Sequence, residues 1–146
     1  EGQSVAPGKV GEIIVRGSIM MTEYWREPEK TRQTLKNGWL FTGDLARVDE
    51  EGYFYLMDRA KDMYISGGEN VYPAEVERIL REHPCIEDAA VVGIPDEVWG
   101  EAGHAFIIKK PGCNLNEKEI IAFCDGKLAH YKWPKVVSFT PSFPRT

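Results

Sequence analysis

Three short segments of this 146-residue chain combine charged side chains and glycines in ways that could bind a polar ligand. Asp44 ends a Thr-Gly-Asp segment, and its carboxylate could accept hydrogen bonds from two neighbouring hydroxyl groups. Arg59 lies in the charged run at 58–62, where its planar guanidinium could bind an oxyanion. Gly67 and Gly68 lack the side chains that would keep a ligand away from the backbone. The segments match no Walker A motif, dinucleotide-binding fingerprint or nucleophile elbow.

Short apolar runs bounded by glycines predict antiparallel strands over most of residues 1–58. The Thr-Gly-Asp segment at 42–44 is interpreted as a turn between two of these strands. A second turn, centred on Gly52, predicts a β-hairpin. The pattern changes at 58–61, which is the predicted boundary between two regions.

Residues 59–146 are predicted to have the order β-α-β-β-α-β, with a loop at 66–70 after the first strand. Pro73 begins the first helix, whose buried face consists of Val76, Ile79 and Leu80. A capping box formed by Asn116 and Glu119 begins the second helix. The second buried face consists of Ile120, Ile121, Cys124 and Leu128. The predicted fold class is therefore α+β: a β-rich segment at 1–58 followed by a small domain at 59–146.

Charge is distributed unevenly along the chain. The net charge is −5, but residues 1–101 carry −9 and residues 102–146 carry +4. The basic tail suggests an anionic partner, although a solvated helix face would have the same composition. Nucleic acid is not expected, because arginine is scarce in the tail and the whole chain is acidic. No apolar run approaches the roughly 18 residues that span a bilayer, so no transmembrane segment is predicted.

The number and spacing of the three cysteines, Cys85, Cys113 and Cys124, indicate neither a disulfide framework nor a zinc site. Each lies in or beside an apolar element, so all three are predicted to pack as small apolar side chains. No metal site is expected. A reducing, cytoplasmic location is the corresponding prediction.

Several segments resemble motifs of the adenylate-forming enzymes and follow one another in the same order along the chain. They are GWLFTGDL at 38–45, DRAKD at 58–62 and ISGGENVYPAEVE at 65–77, with GEIIVRG at 11–17 before them and PRT at 144–146 after them. This superfamily includes acyl-CoA synthetases, adenylation domains of nonribosomal peptide synthetases and firefly-type luciferases. The segment SGGEN is most similar to the acyl-CoA synthetase branch.

The resemblance implies roles for three residues near the predicted boundary. Asp44 matches the aspartate that holds the ribose hydroxyls of ATP and of the acyl-adenylate, and Arg59 matches the arginine near the ribose and phosphate. Lys61 matches the hinge about which the small domain turns between adenylation and thioester formation. A lysine between two acidic residues could equally be a solvated side chain.

The resemblance also implies contacts with CoA. Tyr131 could stack on adenine while Lys132 or Lys135 meets a phosphate, although simple surface packing is the alternative. The loop expected to enter the site during thioester formation consists of Ser66, Gly67, Gly68, Glu69 and Asn70.

The implied parent enzyme converts a carboxylic acid, expected to be a fatty acid, and ATP into acyl-AMP and pyrophosphate, then transfers the acyl group to CoA. Its cofactors would be ATP/AMP, Mg²⁺ and CoA. The family's catalytic lysine would lie beyond Thr146, and the phosphate-binding loop and acyl pocket would belong to a missing N-terminal domain. The chain alone is therefore expected to be an inactive fragment. The alternatives are an adenylation domain that loads a carrier-protein thiol and a non-catalytic binding module on the same fold.

Overall fold

A computed structural model of the chain describes residues 3–144. The backbone divides into a first unit, Glu1–Lys61, and a second unit, Asp62–Thr146. Arg145 and Thr146, which complete the closing PRT segment, lie outside the described residues. The assignment of residues 1–58 to the end of a larger domain, and of 59–146 to a mobile domain, stays a prediction.

The first unit is an antiparallel sheet in which the longest strand pairs with three others. Helix α1 begins at a proline, which suits the first turn of a helix because its missing N–H has no partner there. The elements are β1 (Val10–Val15), α1 (Pro28–Thr34), β2 (Leu35–Lys36), β3 (Trp39–Val48) and β4 (Phe54–Arg59). Strand β3 pairs with β1, β2 and β4.

The predicted turn at 42–44 is wrong, because these residues lie inside strand β3. Gly43 has φ +75°, which a glycine adopts without steric cost, so the strand passes through this point without reversing. Neighbouring strands supply hydrogen bonds on both sides: the Gly43 N–H donates to Glu12 Oε1, and its carbonyl accepts from the Ala60 N–H. These non-local bonds outweigh the local turn preference of a Gly-Asp pair.

Little of the first unit is buried. Ala46, on β3, is the one buried hydrophobic residue among the described residues 3–61. Strand β4 and the residue before it expose large apolar side chains, including Phe54 at 68% and Leu56 at 72% of their surface. The sheet therefore has no hydrophobic core of its own within these residues.

The second unit packs two helices on a five-stranded sheet, which confirms the α+β fold class. Its sheet has the order β6-β5-β8-β7, and β9 runs parallel to β8. One strand more than predicted is present, because the predicted loop at 66–70 contains β6. The elements are β5 (Tyr64–Ser66), β6 (Glu69–Val71), α2 (Pro73–Arg81), β7 (Ile86–Asp96), β8 (Gly100–Lys109), α3 (Glu117–Cys124), a 3₁₀ turn (His130–Lys132) and β9 (Val136–Phe139).

The helices of the second unit bury most of the residues that their sequence patterns predict. On α2, the apolar stripe Val76, Ile79 and Leu80 is buried. The capping box of α3 is present, since Asn116 Oδ1 accepts from the Glu119 N–H and the Glu119 carboxylate accepts from the Asn116 N–H. Ile120 and Cys124 are buried, whereas Ile121 is half-buried; Leu128 is buried too, but it lies beyond the end of α3 at Cys124. No helix among residues 3–144 is long and apolar enough to cross a membrane.

Tyr64 packs across two glycines that face each other on neighbouring strands. Gly93 of β7 pairs with Gly103 of β8. A Cβ atom added to Gly93 would lie 2.5 Å from Tyr64 Cβ, and one added to Gly103 would lie 2.5 Å from the Tyr64 hydroxyl. The phenol is buried, and this burial, together with the charge of Glu101, raises the pKa of Tyr64 to about 12. Glycine is therefore required at both positions to make room for the ring.

Cys85 and Cys113 form a disulfide, so the prediction that all three cysteines pack as free thiols is wrong for this pair. Their Cα atoms are 5.6 Å apart, although 28 residues separate them in the sequence. The bond joins the segment before β7 to the segment before α3. Cys124 is a buried free thiol, as predicted. Spacing could not reveal the pair, because the two cysteines meet only when these segments are brought together.

Candidate functional site

Asp44 and Arg59 are direct cross-strand neighbours in the first unit. They pair in the register of β3 and β4, and Arg59 Nε lies 2.9 Å from Asp44 Oδ1. Both side chains remain partly exposed, at 58% for Arg59 and 36% for Asp44. Asp44 and Arg59, to which the motif resemblance assigns nucleotide binding, are thus in direct contact.

The backbone around Asp44 is held by hydrogen bonds of the Thr42 and Glu12 side chains, which link β3 to β1. The Asp44 N–H donates to Thr42 Oγ1 at 3.0 Å, and this hydroxyl donates to the Ile13 carbonyl at 2.8 Å. Glu12 holds the neighbouring Gly43 N–H at 2.9 Å. The sequence indicated Thr42 only as part of a predicted turn and gave Glu12 no role at the site, because their contacts cross between strands β1 and β3.

The arrangement of Asp44 and Arg59 suits a ligand that carries both hydroxyl groups and negative charge. A carboxylate accepts hydrogen bonds, whereas a guanidinium only donates them. The contact between Arg59 Nε and Asp44 Oδ1 uses part of the hydrogen-bonding capacity of each side chain, and the remaining exposed atoms face solvent. A sugar phosphate is the kind of ligand that could use both.

Lys61 is exposed and is the last residue of the first unit. It follows Ala60, whose N–H donates to the Gly43 carbonyl at 2.8 Å. The hinge role itself stays a prediction.

The segment 66–70 is a tight β-hairpin, which corrects its description as a loop. Ser66 pairs with Glu69, and Gly67 and Gly68 form a two-residue turn with φ values of +61° and +86°. Two consecutive positive φ values are the signature of a type I′ turn, whose twist matches that of the strands. Ser66 is buried, and its Oγ has no hydrogen-bond partner in the described part of the chain, whereas residues 67–70 are exposed.

Trp99 packs against the tip of this hairpin, a contact that no sequence motif indicates. The Gly67 N–H donates to the Trp99 carbonyl at 2.9 Å, and a Cβ atom at Gly67 would lie 2.8 Å from the indole. Asp96 Oδ1 accepts from the Trp99 N–H and so holds the turn between β7 and β8. The indole also lies edge-on to His130, with ring centroids 5.9 Å apart.

The basic residues at 131–135 have different surroundings. Lys132 Nζ donates to both carboxylate oxygens of Glu75, at 2.7 and 2.8 Å. Lys135 Nζ lies 4.8 Å from the centre of the Trp99 ring and has no ion-pair partner among residues 3–144. Tyr131 is half-buried beside the core of the second unit. Lys135 is thus close to the hairpin's neighbour Trp99, and Lys132 is held at helix α2.

The described residues form neither a metal site nor a catalytic histidine–carboxylate pair around His104. No group of three or more His, Cys, Asp or Glu side chains within residues 3–144 is arranged to hold a metal ion. His104 contacts Ser138 Oγ at 2.9 Å and stacks on Phe106.

Comparison with known proteins gives consistent matches. Residues 75–146 match the family of AMP-binding enzyme C-terminal domains. Over 145 residues the chain is 48% identical to a feruloyl-CoA synthase from an Amycolatopsis species, which covers 99% of this chain and 30% of that protein. It is 47% identical to a long-chain-fatty-acid–CoA ligase of Bacillus subtilis, over 99% of this chain and 26% of that protein.

A solved structure shares both the sequence similarity and the fold. The o-succinylbenzoate CoA synthetase of Bacillus subtilis, in complex with the acyl-adenylate intermediate OSB-AMP, superposes with a TM-score of 0.92 at 39% identity. The match covers 99% of this chain and 30% of that protein. The chain therefore spans less than a third of the length of these relatives.

Proposed function

Because residues 75–146 belong to the family of AMP-binding enzyme C-terminal domains, we propose that the chain is the C-terminal part of an ATP-dependent acid–thiol ligase. The parent reaction joins a carboxylic acid to AMP with release of pyrophosphate, and then transfers the acyl group from acyl-AMP to CoA with release of AMP. The observation that carries this proposal is the 48% identity with a CoA ligase over 145 residues, which extends through both units.

In this proposal Asp44 and Arg59 bind the nucleotide. The carboxylate of Asp44 would accept hydrogen bonds from the two ribose hydroxyls, and these bonds are strong because the acceptor is charged. The guanidinium of Arg59, held 2.9 Å from Asp44, would face the ribose and the phosphate. The cross-strand bonds of Thr42 and Glu12 would keep the Asp44 backbone in place.

The nucleotide role is tested in the full-length enzyme with Asp44→Asn. Loss of a charged hydrogen bond costs roughly 1.5–3 kcal/mol, so KM for ATP is expected to rise by at least about tenfold. Glu51→Gln is the matched control, because Glu51 is an exposed carboxylate of the same unit. Release of AMP with an acid and CoA is the measurement. An equal KM for ATP in both variants would contradict the assignment.

We propose that Lys61 is the hinge between the two half-reactions. Its exposure and its position at the end of the first unit support this role, since a hinge must change its backbone dihedral angles without disturbing a core. The exposed Gly67–Asn70 part of the hairpin would then enter the site for the thioester step. Lys61→Pro is expected to impair acyl-CoA formation far more than pyrophosphate exchange, and Lys61→Ala is the control. Equal losses in both half-reactions would contradict the hinge.

CoA would bind beside the aromatic residues of the second unit. Tyr131 would stack on the adenine, and a lysine of the 131–135 segment would meet a phosphate. The positive charge of residues 102–146 favours an anionic ligand here.

We propose a fatty acid as the acyl substrate, supported by the 47% identity with a long-chain-fatty-acid–CoA ligase. Because a feruloyl-CoA synthase is equally similar, the test compares fatty acids of several chain lengths with ferulic acid in the full-length enzyme. Acyl-CoA formation from a fatty acid is the expected result. Selective use of ferulic acid would contradict this substrate class and leave the ligase reaction intact.

A larger N-terminal domain is the proposed partner of the first unit. The exposed apolar side chains of β4, including Phe54 and Leu56, are the surface that such a domain would cover. The chain spans 30% of its feruloyl-CoA synthase relative, so we assign the acyl pocket, the phosphate-binding loop and the catalytic lysine to the rest of the full-length protein and expect no AMP release from the chain alone. Mg²⁺ would accompany ATP, but residues 3–144 hold no ligand set for it, and no step is assigned to it.

A cytoplasmic location stays a prediction. The disulfide between Cys85 and Cys113 argues against this location, because such bonds persist mainly in oxidising compartments.

A further inference from the structure

The disulfide between Cys85 and Cys113 lies at the rim of the second unit's core, where solvent can reach it. Both cysteines are half-buried, and their neighbours Pro84 and Asn114 are exposed. Cys124, by contrast, is fully buried in the core. A small thiol can therefore approach the disulfide in the folded chain, whereas it cannot reach Cys124.

The segment around Cys85 is held by hydrogen bonds that do not need the disulfide. The Cys85 N–H donates to His83 Nδ1 at 3.1 Å, and the Cys85 carbonyl accepts from the Lys110 N–H at 3.0 Å. The next residue, Ile86, pairs with Lys109 in the ladder between β7 and β8. Because these contacts already bring the two segments together, we expect the second unit to keep its fold when the disulfide is open.

The segment around Cys113 depends more on the disulfide. Cys113 closes a tight turn in which its N–H donates to the Lys110 carbonyl at 3.2 Å, and Gly112 has φ +78°. Beyond the turn the chain is fixed again at Leu115, which is buried before α3 begins. Residues 111–114 thus lie between two fixed points, and the disulfide is the covalent link that ties them to the segment before β7. Opening the bond should loosen these residues and leave the strands and α3 in place.

We propose that Cys85 and Cys113 form a reversible thiol–disulfide site, which low-molecular-weight thiols open and low-molecular-weight disulfides close. The site gives the second unit two folded states that differ in stability and in the mobility of residues 111–114. A permanent disulfide argues against the predicted cytoplasmic location, whereas one that opens and closes is compatible with it, because disulfides in reducing compartments are mostly transient and redox-sensing. The inference does not depend on the proposed ligase reaction.

The chemistry of the site is thiol–disulfide exchange. The thiolate of a small thiol attacks one cysteine sulfur, the bond between the two cysteines breaks, and the released cysteine thiolate takes up a proton. A second small thiolate then attacks the sulfur of the first small thiol in the mixed disulfide, and the other cysteine leaves as a thiolate that is protonated in turn. The small thiols are thereby oxidised to one small disulfide while the protein disulfide is reduced to two thiols. Closure of the bond reverses both steps.

Redox titration of the native chain tests the site directly. The chain is equilibrated with mixtures of reduced and oxidised glutathione, and free thiols are alkylated with iodoacetamide and identified by mass spectrometry. Cys85 and Cys113 should become labelled together as the reduced fraction rises, and should lose this reactivity when oxidised glutathione is restored, while Cys124 stays unlabelled. A bond that persists in excess reduced glutathione, or that fails to form again in oxidised glutathione, would overturn the proposal.

Thermal unfolding measures what the bond does to the second unit. Opening the bond should lower the unfolding midpoint by roughly 10 °C, because a cross-link across 28 residues restricts the unfolded chain. The transition should stay cooperative, since the core is the same in both states. An unchanged midpoint, or loss of the cooperative transition on reduction, would overturn the existence of two folded states.

The cysteines themselves provide matched control variants. Cys85→Ser/Cys113→Ser should unfold near the midpoint of the reduced chain and should not respond to glutathione. Cys124→Ala removes the third cysteine and should keep the full difference between the oxidised and reduced forms. A glutathione response in the double serine variant would place the effect elsewhere in the chain and would overturn the proposal.

Backbone order parameters from nuclear magnetic resonance locate the change. In the reduced chain the order parameters of Gly112 and Cys113 should fall below about 0.6, whereas those of β8 should stay near about 0.85. Rigid residues 111–114 in the reduced chain, or a fall throughout the second unit, would overturn the assignment of the loosened segment.

Discussion

The two units of this chain are stabilised in different ways. The second unit encloses a continuous core of side chains from α2, α3 and the five-stranded sheet, among them Leu80, Ile107 and Ile120. In the first unit Ala46 is the one buried hydrophobic residue among residues 3–61, and large apolar side chains on β4 face solvent. The first unit is thus held mainly by the hydrogen bonds between β3 and its neighbours.

This difference indicates which unit is self-sufficient. Burial of apolar surface is the dominant favourable contribution to folding, and hydrogen bonds between strands contribute little net free energy without it. The second unit has its own source of stability, whereas the first needs a surface that covers β4. The candidate nucleotide residues Asp44 and Arg59 lie in the unit that lacks a core. The first unit is therefore expected to depend on its neighbours for both stability and function.

Separating the units gives the largest expected effect. Residues 62–146 alone should unfold in a cooperative thermal transition, because the core lies within them. Residues 1–61 alone should show no such transition, because they bury almost no apolar surface. Circular dichroism and amide hydrogen exchange measure both peptides, with the whole chain as the reference. A cooperative transition for residues 1–61 would contradict the comparison.

Truncating one leucine in each unit should give the next largest difference. Leu80→Ala removes a fully buried side chain and should cost about 2–5 kcal/mol in the free energy of unfolding. Leu56→Ala removes a side chain that is 72% exposed and should change it by less than about 0.5 kcal/mol in the 146-residue chain. Urea unfolding measures both. In the full-length protein Leu56→Ala should become clearly destabilising, and an unchanged stability there would argue against a domain that covers β4.

Adding a methyl group beside Tyr64 tests how tightly the second unit is packed. Gly93→Ala and Gly103→Ala should each cost about 1–3 kcal/mol, because the new Cβ atom collides with Tyr64. Tyr64→Phe should relieve the cost of Gly103→Ala, where the hydroxyl is the colliding group, but not that of Gly93→Ala, where Tyr64 Cβ is.

Gly17→Ala in the first unit is the control for these variants. An added Cβ atom there meets nothing within 4 Å, so the change should be within about 0.5 kcal/mol. Thermal unfolding measures the series. Equal effects of Tyr64→Phe on both alanine variants would show that collisions with Tyr64 do not cause their loss of stability.

Thiol labelling should show the smallest effect. Burial raises the pKa of the Cys124 thiol to about 11, so the reactive thiolate is scarce at pH 8 and becomes abundant only as the pH approaches 11. Iodoacetamide should leave Cys124 unlabelled in the native chain and label it after unfolding, as mass spectrometry can measure. Cys85 and Cys113 should become reactive only after reduction. Rapid labelling of native Cys124 at pH 8 would mean that the core opens locally.

Prediction from the sequence succeeded where the determining contacts are local. The α3 capping box involves Asn116 and Glu119, three residues apart, and the buried stripe of α2 follows the helical repeat. It failed at residues 42–44, where hydrogen bonds from Glu12 of β1 and from Ala60, the residue after β4, keep a turn-like segment extended. It also treated the 66–70 hairpin as a loop, because two adjacent glycines are compatible with either.

The residues of the candidate site likewise fall into those that a sequence motif identifies and those that only the fold identifies. Motif resemblance selected Asp44 and Arg59 as nucleotide-binding residues, and the structure places them 2.9 Å apart. It could not select Trp99, which carries no motif and matters only because the hairpin packs on it. It could not separate Lys132 from Lys135 either, since their difference depends on a carboxylate 57 residues away.

From the sequence alone one can predict the helices, most of the strands, the α+β class and the family model that residues 75–146 match. These follow from side-chain periodicity, capping and short motifs, which act over a few residues. The pairing of distant residues is visible only in the folded chain: Cys85 meets Cys113, and Glu75 meets Lys132. Such pairs depend on how the sheet and helices bring remote segments together, and no local pattern of side chains records that arrangement.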